Sequence, residues 1–280
     1  MRSGFATLVG RPNVGKSTLL NQILGRKVSI TSPVAQTTRN QVRGVLTRPG
    51  VQIVFVDTPG IHKPRTLLGS RLNETAAEAL GDVDLTVFVV DATAPVGRGD
   101  AFVAHRLVPG ETVCVVNKVD AAARRDVLEQ LRAASELAEF TEFFPVSATT
   151  GEGVAELTDA IASRMPDGPL LYPEDMVTDV PEAFWVAELV REQLLAVTHD
   201  EVPHSIACRV TECDWPRIRC EILVERDSQK GIVIGRGGEV LKQVGSRVRA
   251  QLPEGAYIEL FVKVDRNWQS RPKALERLGY

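Results

Sequence analysis

No apolar run in this 280-residue chain approaches the roughly 20 residues that a membrane-spanning helix needs. The opening Met1-Arg2-Ser3-Gly4 has no signal-peptide architecture either, so a cytoplasmic protein is expected. Cysteine is scarce. Cys114, Cys208, Cys213 and Cys220 form no C-x-x-C pair, and no histidine pair follows them. That argues against zinc and for reduced thiols. An excess of one charge is missing too: 33 Lys+Arg against 36 Asp+Glu leave a net −3. Bulk charge therefore points to no polyanionic partner, and any nucleic-acid contact must rest on local charge. What is present is ordinary in kind. With 44% apolar and 25% charged residues the chain can bury a full core, and its length suggests two domains.

One stretch stands apart. Gly10-Arg11-Pro12-Asn13-Val14-Gly15-Lys16-Ser17 fits G-x-x-x-x-G-K-[ST] throughout. Before it, residues 5–9 read as a buried strand; after it, residues 18–24 have helical spacing and stop at Gly25. A strand, a glycine loop and a helix start make a phosphate cradle, because backbone N–H groups turn inward and the positive end of the helix adds to them. Lys16 is expected to reach the β and γ phosphates of a nucleotide, and Ser17 to hold Mg2+. Thr18 is counted with this loop.

Residues 31–39 form a polar loop. In phosphate-loop enzymes a threonine here closes on Mg2+ and the γ-phosphate and releases after hydrolysis. Thr38 is the first candidate and Thr37 the second. The strand 51–56 then delivers Asp57-Thr58-Pro59-Gly60. Asp57 stands where the metal-side carboxylate belongs, and Gly60 can bring its N–H to the γ-phosphate because no side chain blocks it. Ile61 breaks the pattern. Many GTPases place a water-orienting glutamine there, and an alkyl side chain cannot bind water, so slow unaided hydrolysis is predicted. His62 reads as a solvent-exposed loop residue rather than a base.

The strand 112–116 delivers Asn117-Lys118-Val119-Asp120. The carboxylate of Asp120 can accept two N–H donors from guanine; adenine offers neither and would leave it unpaired. Bidentate base contacts discriminate by about 1–3 kcal/mol, and the unpaired acceptor adds to that. Asn117 is expected to stabilise the loops and touch the base, and the stem of Lys118 to pack over the ring. After the strand 143–146, Ser147-Ala148 offers the backbone N–H of Ala148 to the guanine carbonyl. Repeated strand and helix segments predict a mostly parallel sheet flanked by helices. These motifs in this order are those of the phosphate-loop GTP-binding domain.

Pro166, Gly168, Pro169 and Pro173 interrupt any regular element. The reading is a GTP-binding domain at 1–165, a linker at 166–180 and a second domain at 181–280. A helix over 183–197 precedes strands at 205–210 and 218–224. The loop Gly235-Arg236-Gly237-Gly238 precedes a helix over 239–252 and a strand over 257–264. This order is that of the α+β type II KH fold, whose G-x-x-G loop clamps single-stranded RNA. The second domain is neutral, but residues 228–251 carry Lys230, Arg236, Lys242, Arg247 and Arg249 against Glu239 alone, a local +4. Lys230, Gly235, Arg236, Gly237, Gly238 and Lys242 are the candidate RNA contacts. Trp215 and Trp268 read as core residues.

The loop with Asn13, the run Thr37-Thr38-Arg39 and the run Asp57-Thr58-Pro59-Gly60-Ile61-His62-Lys63 resemble those of the bacterial Era family of GTPases, within the wider group that includes TrmE and Der. The resemblance spans nearly the whole chain, since Era joins one GTP domain to one C-terminal KH domain. It implies a GTPase that cycles between GTP and GDP with Mg2+. It also implies that Asn13 helps bind K+, which would suit an enzyme lacking the glutamine. The catalytic set is then Asn13, Lys16, Thr38 and Gly60; the metal set is Ser17, Thr38 and Asp57. Further implications are binding near the 3′ end of small-subunit (16S) ribosomal RNA, a role in 30S subunit assembly and a monomeric state. The alternative left open is a GTP-dependent docking module, peripheral to the inner membrane or bound to a protein, with incidental hydrolysis.

Overall fold

The computed structural model describes residues 1–64, 66–81 and 83–280. They fall, in the main, into two compact units with the boundary between Asp179 and Val180.

The first unit is built on a six-stranded sheet. Strands β1 (Arg2–Val9), β3 (Val51–Asp57), β4 (Leu85–Asp91), β5 (Thr112–Asn117) and β6 (Phe143–Val146) run parallel, while β2 (Val42–Arg48) lies antiparallel on β3. The order is β2-β3-β1-β4-β5-β6. A strand covered on both faces needs apolar residues on both, and every residue of β4 is buried. Phe88 of that strand stacks on Phe140 with centroids 5.6 Å apart. Burying such a ring contributes roughly 1.5–3 kcal/mol. Helices α1 (Lys16–Leu24), α2 (Leu67–Glu78), α3 (Arg98–Ala104), α4 (Arg124–Ser135) and α5 (Val154–Arg164) lie between and after the strands. Strand order reverses at β1, which has β3 on one side and β4 on the other. The loops beyond the carboxyl ends of the strands therefore converge over a crevice, the usual ligand position in such sheets.

No helix or strand lies between Arg164 and Glu182, and the segment as far as Asp179 is held on the first unit. The N–H of Ser3 donates to Pro166 O at 2.9 Å, and that of Gly168 to Met1 O at 3.0 Å. Gln52, fully buried in β3, is its anchor. The Gln52 carbonyl oxygen accepts the N–H groups of Leu171 and Tyr172 at 2.7 and 2.9 Å, and its amide donates to Tyr172 O at 2.9 Å. On the edge strand β2, Val45 N–H donates to Val177 O at 2.7 Å, and the Thr178 hydroxyl donates to Arg43 O at 2.7 Å. This covers backbone groups that an edge strand would otherwise leave open.

The second unit runs α6 (Glu182–Val197), α7 (Val202–Ser205), β7 (Ala207–Asp214), β8 (Arg217–Val224), α8 (Asp227–Ile234), α9 (Glu239–Arg249), β9 (Tyr257–Val264) and α10 (Pro272–Leu278). β7 and β8 pair antiparallel, β8 and β9 parallel. Apolar residues from α6, α8, α9 and the sheet form one core. Trp268 is fully buried and donates its Nε1 proton to Ser205 O at 2.9 Å. Trp215 departs from expectation: it sits in the β7–β8 turn and is 48% exposed.

Candidate functional site

The phosphate loop begins where β1 ends. At Gly10 (φ 158°) a Cβ would lie 2.4 Å from Val89 O, and at Gly15 (φ 97°) one would lie 2.2 Å from Nδ2 of Asn117. Close approach of the backbone requires glycine at both positions. Lys16 is buried, and its ammonium donates to the carbonyls of Arg11 and Gly10 at 3.1 and 3.3 Å. Burial pushes its pKa down to about 8, opposed by the charge of Asp57. Arg11 turns away from the phosphate cradle. Its Nε donates to the fully buried Asp100 on the first turn of α3 at 2.7 Å, bracing the loop from that helix. Asn13 takes a left-handed conformation (φ 66°).

The three expected metal ligands come together. The Ser17 hydroxyl donates to Asp57 Oδ2 at 2.7 Å and lies 2.8 Å from the Thr38 hydroxyl, which is itself 3.4 Å from the same Oδ2. Burial raises the pKa of Asp57, against the opposing effects of Lys16 and of hydrogen bonds from Ser17, Ser29 and Thr38. Its other oxygen, Oδ1, is buried with no hydrogen-bond partner. An orphaned carboxylate oxygen beside two hydroxyls is a hard-oxygen donor set that fits Mg2+. No motif announced Ser29, whose hydroxyl donates to Asp57 Oδ2 at 2.9 Å.

Gly60 lies against the phosphate loop: a Cβ on it would come within 2.6 Å of Pro12 N, and the next N–H, of Ile61, donates to Gly10 O at 3.3 Å. The buried Thr58 hydroxyl donates to Leu8 O at 2.8 Å, so it fixes this turn rather than facing a ligand. Ile61 packs into the core with Val9, Phe88, Val90 and Ala76. His62 is not the solvent-exposed residue expected. Its Nδ1 is 3.1 Å from Gly60 O and its Nε2 is 2.6 Å from Nε2 of Gln36. A ring protonated on Nδ1 satisfies both contacts. Asn73 holds its backbone, accepting the His62 N–H at 3.2 Å and donating to His62 O at 2.6 Å.

At the base end, Asn117 ties two loops together. Its Nδ2 donates to Val14 O at 2.9 Å and its Oδ1 accepts the N–H of Ala148 at 2.9 Å. That second bond corrects an expectation. The Ala148 N–H assigned to the guanine carbonyl is taken by Asn117, because the buried amide carbonyl of Asn117 must itself be satisfied. The buried Ser147 accepts the N–H of Thr150 on its hydroxyl at 3.0 Å, which shapes the same loop. Lys118 (φ 70°) donates its ammonium to Asp91 Oδ2 at 2.5 Å. Burial would raise the pKa of Asp91, yet hydrogen bonds from Lys118 and Thr93 hold it below the usual range. Asp120 is exposed in the short 3-10 turn Val119–Ala121, with its carboxylate open to a base.

In the second unit, α8 ends at Gly235 (φ 75°), where a Cβ would meet Val240 Cγ2 at 2.6 Å. Gly237 and Gly238 differ: both are left-handed (φ 61° and 81°), and nothing lies within 4 Å of a Cβ placed on either. Their backbone can be approached closely from outside. Arg236 and Lys242 are exposed and Lys230 is half-buried. Beside them, exposed Ile232 helps line a cleft of about 400 Å³ with Thr198, His199, Arg226 and Gln229.

Two family models match the chain: a 50S ribosome-binding GTPase over residues 5–118 and a KH domain over residues 201–269. The GTPase Era of Lacticaseibacillus paracasei is 45% identical over 289 residues, covering 99% of this chain and 96% of that protein. A crystal structure of an Aquifex aeolicus Era variant bound to GDP and AlF4− superposes with a TM-score of 0.95 at 38% identity, over 100% of this chain and 99% of that one. An Era structure solved with Mg·GDPNP and nucleotides 1506–1542 of 16S ribosomal RNA matches with a TM-score of 0.95 at 39% identity, over the same shares of the two chains.

Proposed function

Since the chain belongs to the Era family of GTPases, we propose that it is a GTP-hydrolysing switch that binds small-subunit ribosomal RNA near its 3′ end through the KH unit and assists 30S assembly. The observation that carries this reading is the match over the whole chain to an Era structure holding both Mg·GDPNP and 16S nucleotides 1506–1542.

In this reading each group of residues has its own role. The backbone N–H groups of the phosphate loop and the ammonium of Lys16 bind the phosphates. Ser17, Thr38 and Asp57 hold Mg2+, which supplies positive charge beside the phosphates when bound. Gly60 brings its N–H to the γ-phosphate from the side of Pro12. Asp120 selects guanine, while Asn117 and the Lys118–Asp91 pair fix the loops that present it. Asn13, exposed on the phosphate loop, is the residue to help hold K+. Ile61 lies in the core and gives water no partner, so unaided hydrolysis is slow. Gly237 and Gly238 admit an RNA backbone, with Lys230, Arg236 and Lys242 supplying charge.

Among the described residues no helix is long and apolar enough to cross a membrane. The test uses the full chain with GDPNP and a single-stranded RNA from the 3′ end of 16S ribosomal RNA at fixed salt. The wild type is expected to bind, and a double variant, Gly237→Asp with Gly238→Asp, to lose at least tenfold, since each added carboxylate meets a phosphate at close quarters. No RNA binding by the wild type, together with retention on anionic vesicles, would replace this reading with the membrane-peripheral docking module.

A further inference from the structure

We propose that Ser29 is a positioning residue for the Mg2+ site, orienting Asp57 so that its unpartnered oxygen faces the metal. Ser29 lies outside every motif above, yet it is 2% exposed and its hydroxyl donates to Asp57 Oδ2 at 2.9 Å. Ser17 donates to the same oxygen at 2.7 Å. The two bonds differ in kind. Ser17 is itself a metal ligand, so its geometry follows the metal; Ser29 is not, and its bond stays when the metal comes or goes. Rotation about the last bond of an aspartate side chain is soft. These two bonds, with a longer one from Thr38 at 3.4 Å, restrict that freedom and leave Oδ1 buried and without a hydrogen bond.

The placement of Ser29 is itself fixed. Asn21 of α1 accepts the N–H groups of Val28 and Ser29 on its Oδ1 at 2.9 and 3.0 Å. Its Nδ2 donates to Ser29 O at 2.8 Å. One side chain thus clamps the backbone on which the hydroxyl stands. The helix that carries Asn21 also carries Ser17, so α1 sets both bonds to the carboxylate. Orientation without direct ligation is how outer-shell groups tune a metal site.

The inference rests on Ser17 and Asp57 being the Mg2+ site, and the experiment separates the two. Dissociation of a fluorescent GDP from the full chain is followed as Mg2+ is titrated. For Ser29→Ala the Mg2+ concentration giving half-maximal nucleotide retention is expected to rise roughly tenfold, about 1.4 kcal/mol. Saturating Mg2+ should restore the wild-type rate, and with Mg2+ chelated the variant and wild type should release GDP alike. An unchanged half-point, or an equal defect with and without Mg2+, overturns the proposal, because a merely structural serine would weaken binding regardless of metal. Ser17→Ala should abolish the Mg2+ response; if it does not, the metal assignment falls and the role of Ser29 with it. Should Ser29→Ala fail to fold, Ser29→Cys, which is slightly larger and donates weakly, is expected to show a shift in the same direction.

Discussion

Lys16 converts the cost of burial into a pH dependence. In the nucleotide-free protein its pKa is lowered to about 8 from 10.5, chiefly by burial. Below about pH 8 the amine is charged in both the folded and the unfolded chain, and the full burial cost is present. Between about 8 and 10.5 the unfolded chain binds more protons than the folded one, so the stability of the nucleotide-free protein rises with pH across that window. Nucleotide binding reverses the balance, because phosphates favour the ammonium. Above about pH 8 binding must then take up a proton, and affinity should fall by a factor approaching ten per pH unit. Calorimetric titration of GDP at about pH 7 to 9.5, in buffers of different ionisation enthalpy, reads both the affinity and the proton. A flat affinity with no proton uptake would mean that Lys16 stays charged without the phosphates.

At the level of elements, Gln52 carries more than its place in a strand suggests. Its amide oxygen and nitrogen meet three backbone groups of the segment 166–180, and the nitrogen also donates to the Thr47 hydroxyl at 3.0 Å. Gln52→Val fits a β-strand but leaves the N–H groups of Leu171 and Tyr172 without that acceptor. At such partly exposed groups the loss of a hydrogen bond costs about 0.5–1.5 kcal/mol. The variant should lose about that much in urea unfolding of the first unit, and the 166–180 segment should become a protease site while GDP affinity stays within about twofold. Loss of stability without new cleavage would place the effect in the sheet and not in the strap. Gln52 also marks where sequence reading stops. Asp57, Asn117 and Lys16 were legible because each sits at a strand end or loop where the chemistry tolerates few other residues. Gln52, Ser29, Asp91 and Asp100 work through partners 27 to 120 positions away in sequence, and no local pattern distinguishes them from other polar residues. The helix α4 escaped for another reason. Val127, Leu131 and Ala134 stand at helical spacing and pack on the core, but the segment carries no ligand motif that would draw attention to it. The antiparallel pairing of β2 depends on its turn with β3, which the alternation of strands and helices does not reveal.

For the whole molecule, the proposed nucleotide site and the proposed RNA loop share one chain, and linkage decides whether they act together. If exchanging GDP for GDPNP tightens RNA binding by some factor, RNA must tighten GDPNP relative to GDP by the same factor. A coupling of roughly tenfold, about 1.4 kcal/mol, is within the usual range for such switches. Both arms are measurable on the full chain: affinity for the 16S 3′-end RNA in each nucleotide state, and competition of GDP with GDPNP with and without RNA. Salt separates the phosphate contribution from the coupling. With Lys230, Arg236 and Lys242 as three phosphate contacts, log affinity should fall with log salt at a slope of about −2 for a single strand. That slope should be the same in both nucleotide states if GTP changes access to the KH loop without adding charge contacts. A steeper slope with GDPNP would mean that further basic residues join the interface in that state. Equal RNA affinity in both states, with a slope near about −2, would leave a GTPase and an RNA-binding module on one chain and remove the switch between them.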